Sequence, residues 1–263
     1  MSDAIHAGRL RRIQQLAVGV GCLMGLAATV GAHDIWLTTE QAGEARKAQV
    51  NFGDTDDRSL PDHARIVSLE LVGSGGKQDL RHPLTETARL GKPVLETQSF
   101  KSAAGAVLAV SYDNGFWLKI PGDKKETNTA VLMVPNGEAA HWTVKYSKIL
   151  LGPGSFSTRV HSRLELSALE DPFSAAAGGT LPVKLELDGK PLAGARVAYG
   201  DGIQPIPDAQ MPAVKTGADG IARIPLTRKG PYLLTTDPEV APQYPALAKR
   251  DHLFASLTFD LTK

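Results

Sequence analysis

The sequence predicts an all-β fold built from two antiparallel β-sandwiches. Three observations predict it. Apolar and polar residues alternate through most of the chain after residue 40, Gly, Pro, Asn and Asp punctuate these runs, and no long segment carries apolar residues at helical spacing. Alternation puts every second side chain on one face, as a strand with one buried side requires.

Taken in order, "GAVLAVSY" and "AVLMV" are continuous apolar runs of the kind that form strands buried on both faces. Asp113-Asn114-Gly115 separates "LAVSY" from "FWLKI", and Pro135-Asn136-Gly137 separates "AVLMV" from "HWTVKY". Asn-Gly and Asp-Gly suit tight hairpins because both residues tolerate φ > 0. "HWTVKYSKI" and "HSRLELS" alternate, and "LPVKLEL" sets Leu181, Val183, Leu185 and Leu187 on one face. Asp188-Gly189 ends that strand, and Asp219-Gly220 precedes "IARIPL". "LFASLTFDL" closes the chain with Leu253, Ala255, Leu257, Phe259 and Leu261 in phase, and "KRDH" before it reads as one helical turn. In the second half the predicted strands are 181–187, 195–199, 221–226, 231–235 and 253–261. The stretch from Asp201 to Pro212 is rich in proline and reads as a surface loop.

Domain organisation follows from the breaks. Arg9, Arg11 and Arg12 precede an apolar run from Leu16 to Val30, and Val30-Gly31-Ala32 offers small residues for cleavage. The run is short for a membrane span, which needs about 20 residues. Residues 1–32 therefore read as a cleaved signal peptide. Gln14 and Gln15 follow the arginine pair where twin-arginine export wants apolar residues, so the route is Sec and the destination the periplasm. "LLGPGSFS" interrupts the mature chain, giving domains at 33–155 and 160–263, each the size of one sandwich.

Composition excludes several functions. Lys and Arg number 29 against 28 Asp and Glu, so no basic face for nucleic acid is indicated. The single cysteine, Cys22, lies in the signal, which leaves the mature chain without a disulfide, a thiolate ligand or a cysteine nucleophile. Neither Gly-x-Ser-x-Gly nor His-Glu-x-x-His occurs, and "VGSGGKQ" fails as a phosphate loop because residue 71 is Leu71 and residue 78 is Gln78. The acidic stretch "DTDDRSLPDH" fails as a calcium loop, with Arg58 and Ser59 where an oxygen ligand and Gly belong. The chain reads as a binding protein and not as an enzyme.

Several motifs carry a family resemblance. "GKPLAGARV", "ADGIARIPL" and "GPYLL" resemble the carboxypeptidase-regulatory or transthyretin-like Greek-key sandwich. With "AHDIWL" after the signal, "VNFGD", "LELSALEDPF" and a terminal "ASLTF", residues 32–263 resemble the DUF4198 family. The resemblance implies a secreted two-domain β protein that serves as a periplasmic component of cobalt or nickel uptake, with a membrane metal transporter or outer-membrane receptor as partner.

Cleavage after Ala32 makes His33 the first residue. Its α-amine and one imidazole nitrogen can then close on a single Ni²⁺, Co²⁺ or Cu²⁺ ion, for which nitrogen donors are suited. The amine's reference pKa of about 8 makes its deprotonation inexpensive. The other mature histidines show no close ligand spacing, so further ligands must come from separate segments. His63, in a mobile-looking polar loop with nearby carboxylates, and His252, beside Asp251 at a strand start, are the candidate helpers. Two other functions fit the same sequence. One is a non-catalytic adhesion or carbohydrate-binding sandwich, for which Phe116, Trp117 and Trp142 offer stacking surface; the other is a copper-dependent oxidative enzyme with a histidine brace.

Overall fold

The computed structural model describes residues 33–175, 178–204 and 206–261, so the segment expected to be a signal peptide, with its expected cleavage site, lies outside the described residues. The strands of the first half are β1 (Asp34–Ala42), β2 (Ala45–Gly53), β3 (Arg58–Ser59), β4 (Ile66–Gly73), β5 (Gly76–Asp79), β6 (Leu84–Arg89), β7 (Lys92–Thr97), β8 (Val107–Lys119), β9 (Glu126–Asn128) and β10 (Glu138–Leu150). Those of the second half are β11 (Leu164–Ala168), β12 (Thr180–Leu187), β13 (Lys190–Pro191), β14 (Arg196–Gly200), β15 (Ala213–Lys215), β16 (Ile221–Pro225), β17 (Pro231–Thr236), β18 (Glu239–Val240) and β19 (Arg250–Asp260). Among the described residues helix is confined to short 3₁₀ turns, and the fold is all-β as the alternation predicts.

Three sheets form. One runs β1-β2-β7-β6, with β3 on β2. A second, ten-stranded, runs β15-β14-β17-β19-β10-β8-β4-β5, with β18 on β19 and β9 on β8. The third runs β11-β12-β13, with β16 on β12. The ten-stranded sheet spans both halves of the chain through the parallel pair β10–β19, where Thr143 lies beside His252 and Lys145 beside Phe254. The Gly152-Pro153-Gly154 break therefore does not divide the sheet, and Val107, Val144 and Leu150 from before it enter the core of the second half. One core packs Ile35, Leu37 and Val50 against Leu69, Leu108 and Val110. The other packs Leu166, Val183 and Ile224 against Leu253, Leu257 and Phe259.

The strands expected in the second half form, and the differences have local causes. Asp113-Asn114-Gly115 does not turn the chain. Strand β8 runs through it, with Asn114 as an extra residue between the Thr143–Gly115 and Val144–Asp113 pairs. The Asn114 carbonyl accepts from Arg65 and from Trp117 Nε1, which satisfies the bulge. "AVLMV" is a series of turns instead of a buried strand, because Met133 N and Val134 N bond back to Ala130 and Val131. Leu132 and Met133 are consequently exposed. In "KRDH", residues Arg250 to His252 are extended as the start of β19 and pair with β10 and β18. Asp219-Gly220 is a turn, but it carries the chain from β15 in the ten-stranded sheet to β16 in the third. The 201–212 segment is pinned to the first half: Thr55 Oγ1 donates to the Ile206 carbonyl at 2.7 Å, and Arg58 donates to the Gly202 carbonyl.

Gly220 has φ +74°, and a Cβ there would lie 2.8 Å from the Leu185 carbonyl oxygen and 3.0 Å from Pro191 Cα. Both neighbours are backbone and cannot yield cheaply. Gly220→Val is expected to destabilise the chain by roughly 1–3 kcal/mol, the scale of a strained backbone position. Urea unfolding of the two proteins measures this, and equal midpoints would mean that the turn relaxes freely.

Candidate functional site

Strand β1 is the outermost strand of its sheet, so one side of its backbone has no strand partner. Buried carbonyls on such an edge need donors from elsewhere. The donors come from side chains on β10 and β19. Lys145 Nζ donates to the His33 carbonyl, Ser256 Oγ to the Ile35 carbonyl at 2.8 Å, and Thr258 Oγ1 to the Leu37 carbonyl at 2.8 Å. Because alternate residues point to one face, Ser256 and Thr258 oppose Leu253, Leu257 and Phe259, which fill the second core. His33 is thereby held at the head of β1, over the ten-stranded sheet.

The imidazole of His33 packs on Phe52 with ring centroids 5.6 Å apart. Its Nδ1 is buried and has no hydrogen-bond partner among the described residues. That atom is the one positioned by covalent geometry to close a six-membered ring with the residue's own α-nitrogen on a metal ion. An unpaired buried ring nitrogen costs free energy unless something binds it.

Lys145 is fully buried. Its Nζ stands 3.7 Å from the centroid of Phe254 and 5.7 Å from that of Phe52. Burial pushes its pKa down to about 8, against the pull of Asp34, Asp54 and Asp237. Aromatic faces and these carboxylates offset part of the cost of a buried ammonium.

The structure places the candidate helpers away from His33 along two tracks. On one, Phe52 packs on Tyr112 at 5.3 Å, and the Tyr112 hydroxyl accepts from Asp62 N at 3.2 Å, beside the turn that bears His63. His63 itself faces solvent and pairs edge-on with His82 at 5.3 Å. On the other, Lys145 touches Phe254, whose ring lies 4.3 Å from that of His252. His252 pairs with His141 at 6.1 Å, and its Nε2 lies 3.2 Å from the Asp237 carbonyl oxygen. His141 is buried, which lowers its pKa, while its Nδ1 lies 2.9 Å from the Ala139 carbonyl oxygen. Among the described residues no three His, Cys, Asp or Glu side chains converge as metal ligands. The three predicted histidines thus occupy three separate ring clusters, His33 with Phe52, His63 with His82, and His252 with His141.

Sequence reasoning missed Lys145, Phe52 and Phe254. Lys145 gives no signal of its own, since a lysine in an alternating strand ordinarily faces water. His82 and His141 were visible as histidines, but their partners lie far away in sequence.

The lysine yields a pH prediction. The folded chain releases the Lys145 proton near pH 8, below the 10.5 of an ordinary lysine. Between those values the unfolded chain binds more protons, so this group makes stability rise with pH. Lys145→Met removes the group and keeps an apolar stem on Phe254. The stability of the natural protein relative to this variant should therefore increase from pH 8 to pH 10 in urea titrations. A difference that is flat over that range would show that the ammonium keeps its ordinary affinity for the proton.

Comparison with known proteins gives two findings. The family model described as "Domain of unknown function (DUF4198)" matches residues 30–239. An uncharacterized protein of Haemophilus influenzae is 27% identical over 190 residues, covering 72% of this chain and 76% of that protein.

Proposed function

The chain belongs to the DUF4198 family, and from that premise we propose that it is a periplasmic divalent-metal-binding protein, serving nickel or cobalt uptake or copper handling, with His33 as the chelating residue of the mature terminus. The observation that supports this reading is the buried Nδ1 of His33 at the head of β1, which has no hydrogen-bond partner among the described residues. Once the bond after Ala32 is cut, the α-amine and Nδ1 belong to one residue and need no long-range assembly. The ion supplies positive charge that holds both nitrogens deprotonated; the protein's part is to fix their geometry.

Three features do that. Lys145 fixes the His33 carbonyl and Phe52 fixes the ring plane. The backbone pairing of Asp34 with Gly53 fixes the direction of the strand. A residue so anchored loses little further freedom on binding, which favours affinity. His63 and His252 enter this reading only as reserve ligands, since each is engaged with another histidine. The proposal is of a binding protein and not a catalyst, with the ion as cargo and a membrane transporter or outer-membrane receptor as recipient. Among the described residues no helix is long and apolar enough to cross a membrane.

The test compares two mature proteins that are identical from His33 onward, one of which keeps a single Gly before it. The extra residue turns the His33 nitrogen into an amide and removes the chelate. Calorimetric titration with Ni²⁺ and Co²⁺ should show binding weakened by more than about tenfold, or above about 1.4 kcal/mol. His33→Ala should do similar damage, and affinity should fall as pH drops and protons compete for both nitrogens. Equal affinities in the two proteins would remove His33 from the site, and mass spectrometry of the exported protein checks the cut itself.

A further inference from the structure

The opposite face of β10 from Lys145 borders a second feature. Trp142, Tyr146 and Lys148 lie on that face, out of phase with Lys145. Beside them opens a cleft of about 890 Å³, lined by Tyr146, Arg159, Arg163, Glu186, Asp188 and Gln243 among others. Its size suits a small-molecule or short oligomeric ligand, but its wall is far more polar than such pockets usually are.

The charges of that wall and of the groups behind it balance as a set, four cations against four carboxylates. Arg163 binds the fully buried Asp251 at 2.5 Å and lies 3.5 Å from Asp188. Arg159 binds Glu186, and Lys184 reaches the same carboxylate at 3.0 Å. At the back, Lys148 binds Glu165 at 2.7 Å with both side chains buried. A lining of this kind offers many hydrogen-bond donors and acceptors without a net field to select an anion or a cation. It suits a neutral ligand dense in hydroxyl groups.

The rim supplies a second element. Gln243, which lines the cleft, donates through Nε2 to the Tyr244 hydroxyl at 3.3 Å. Tyr244 is 44% exposed, and its ring packs on Trp142 at 5.2 Å. Trp142 stacks in turn on Phe116 at 5.7 Å and 19°. Its Nε1 donates to Asp113 Oδ1 at 2.8 Å, which fixes the indole. Tyr244 is therefore an exposed aromatic plate braced from behind and adjoining a polar cleft. A pyranose has the complementary division, with an apolar C–H face and a ring of hydroxyls. Amphipathic aromatic side chains are suited to such surfaces.

We propose that this cleft binds a neutral oligosaccharide, one sugar stacking on Tyr244 while the adjoining hydroxyls bond the Gln243, Asp188 and Arg163 wall. The site is independent of the metal at His33. The test applies the mature chain, in EDTA, to an array of neutral and charged glycans, followed by calorimetry with the best neutral oligosaccharide. EDTA keeps the result separate from metal binding.

Tyr244→Ala should weaken binding by about tenfold or more, and Tyr244→Trp should retain it within a few-fold. Asp188→Asn should weaken binding as well; Asn tolerates the φ of +50° at that position, so the turn is preserved. Circular dichroism and melting of each variant verify the fold. Failure of every neutral glycan to bind would overturn the proposal. So would recognition confined to charged glycans, or neutral-glycan binding that Tyr244→Ala leaves unchanged.

Discussion

The structure depends on how the free edge of β1 is satisfied. Edge carbonyls buried between two sheets have no water to bind, and each left unpaired costs about 1–3 kcal/mol. Lys145, Ser256 and Thr258 supply the donors, from two strands that lie side by side in the ten-stranded sheet. Ser147 joins them through its hydroxyl contact with Ser256 at 2.7 Å. These few bonds do three things together. They close the first sandwich, they tie its edge strand to a strand from the end of the chain, and they fix the position of His33.

The same constraint accounts for the parallel pair β10–β19. With the two strands side by side, one donor set serves the alternate carbonyls of His33, Ile35 and Leu37. The sheet then has to be covered on both faces. Leu253, Leu257 and Phe259 turn to the core shared with β11, β12 and β16, while Ser256 and Thr258 turn to β1. The two halves of the chain are thus joined through a common sheet. The contacts of Thr55 and Arg58 with the 201–212 segment extend the junction at the surface.

A buried lysine is the least economical member of this arrangement, and its surroundings explain why it persists. A serine or threonine at position 145 lacks the reach to bond the His33 carbonyl from beneath two aromatic rings. The long stem of lysine crosses Phe254 and delivers the donor at the strand head. Buried polar contacts of this kind specify one register, because a slip of β1 by a residue would send its other carbonyls to the donors. The position of His33 is therefore set by hydrogen bonding, and hydrophobic packing alone would leave it free to shift.

The sequence by itself determined the all-β class and the strands of the second half, because alternation and turn residues are local signals. "LPVKLEL" and "LFASLTFDL" needed no partner to reveal their period. The tertiary structure decided what the polar phase of each strand meets. Ser256 and Thr258 read as solvent-facing in an alternating strand, yet they face another strand's backbone. It also decided that Asn114 bulges within β8 instead of turning the chain, since Arg65 and Trp117 satisfy its carbonyl from outside. And it separated His63 and His252 from His33, giving each a different histidine as neighbour. Periodicity reports which face of a strand is apolar; what lies against the other face depends on segments tens or hundreds of residues away, and only folding brings those together.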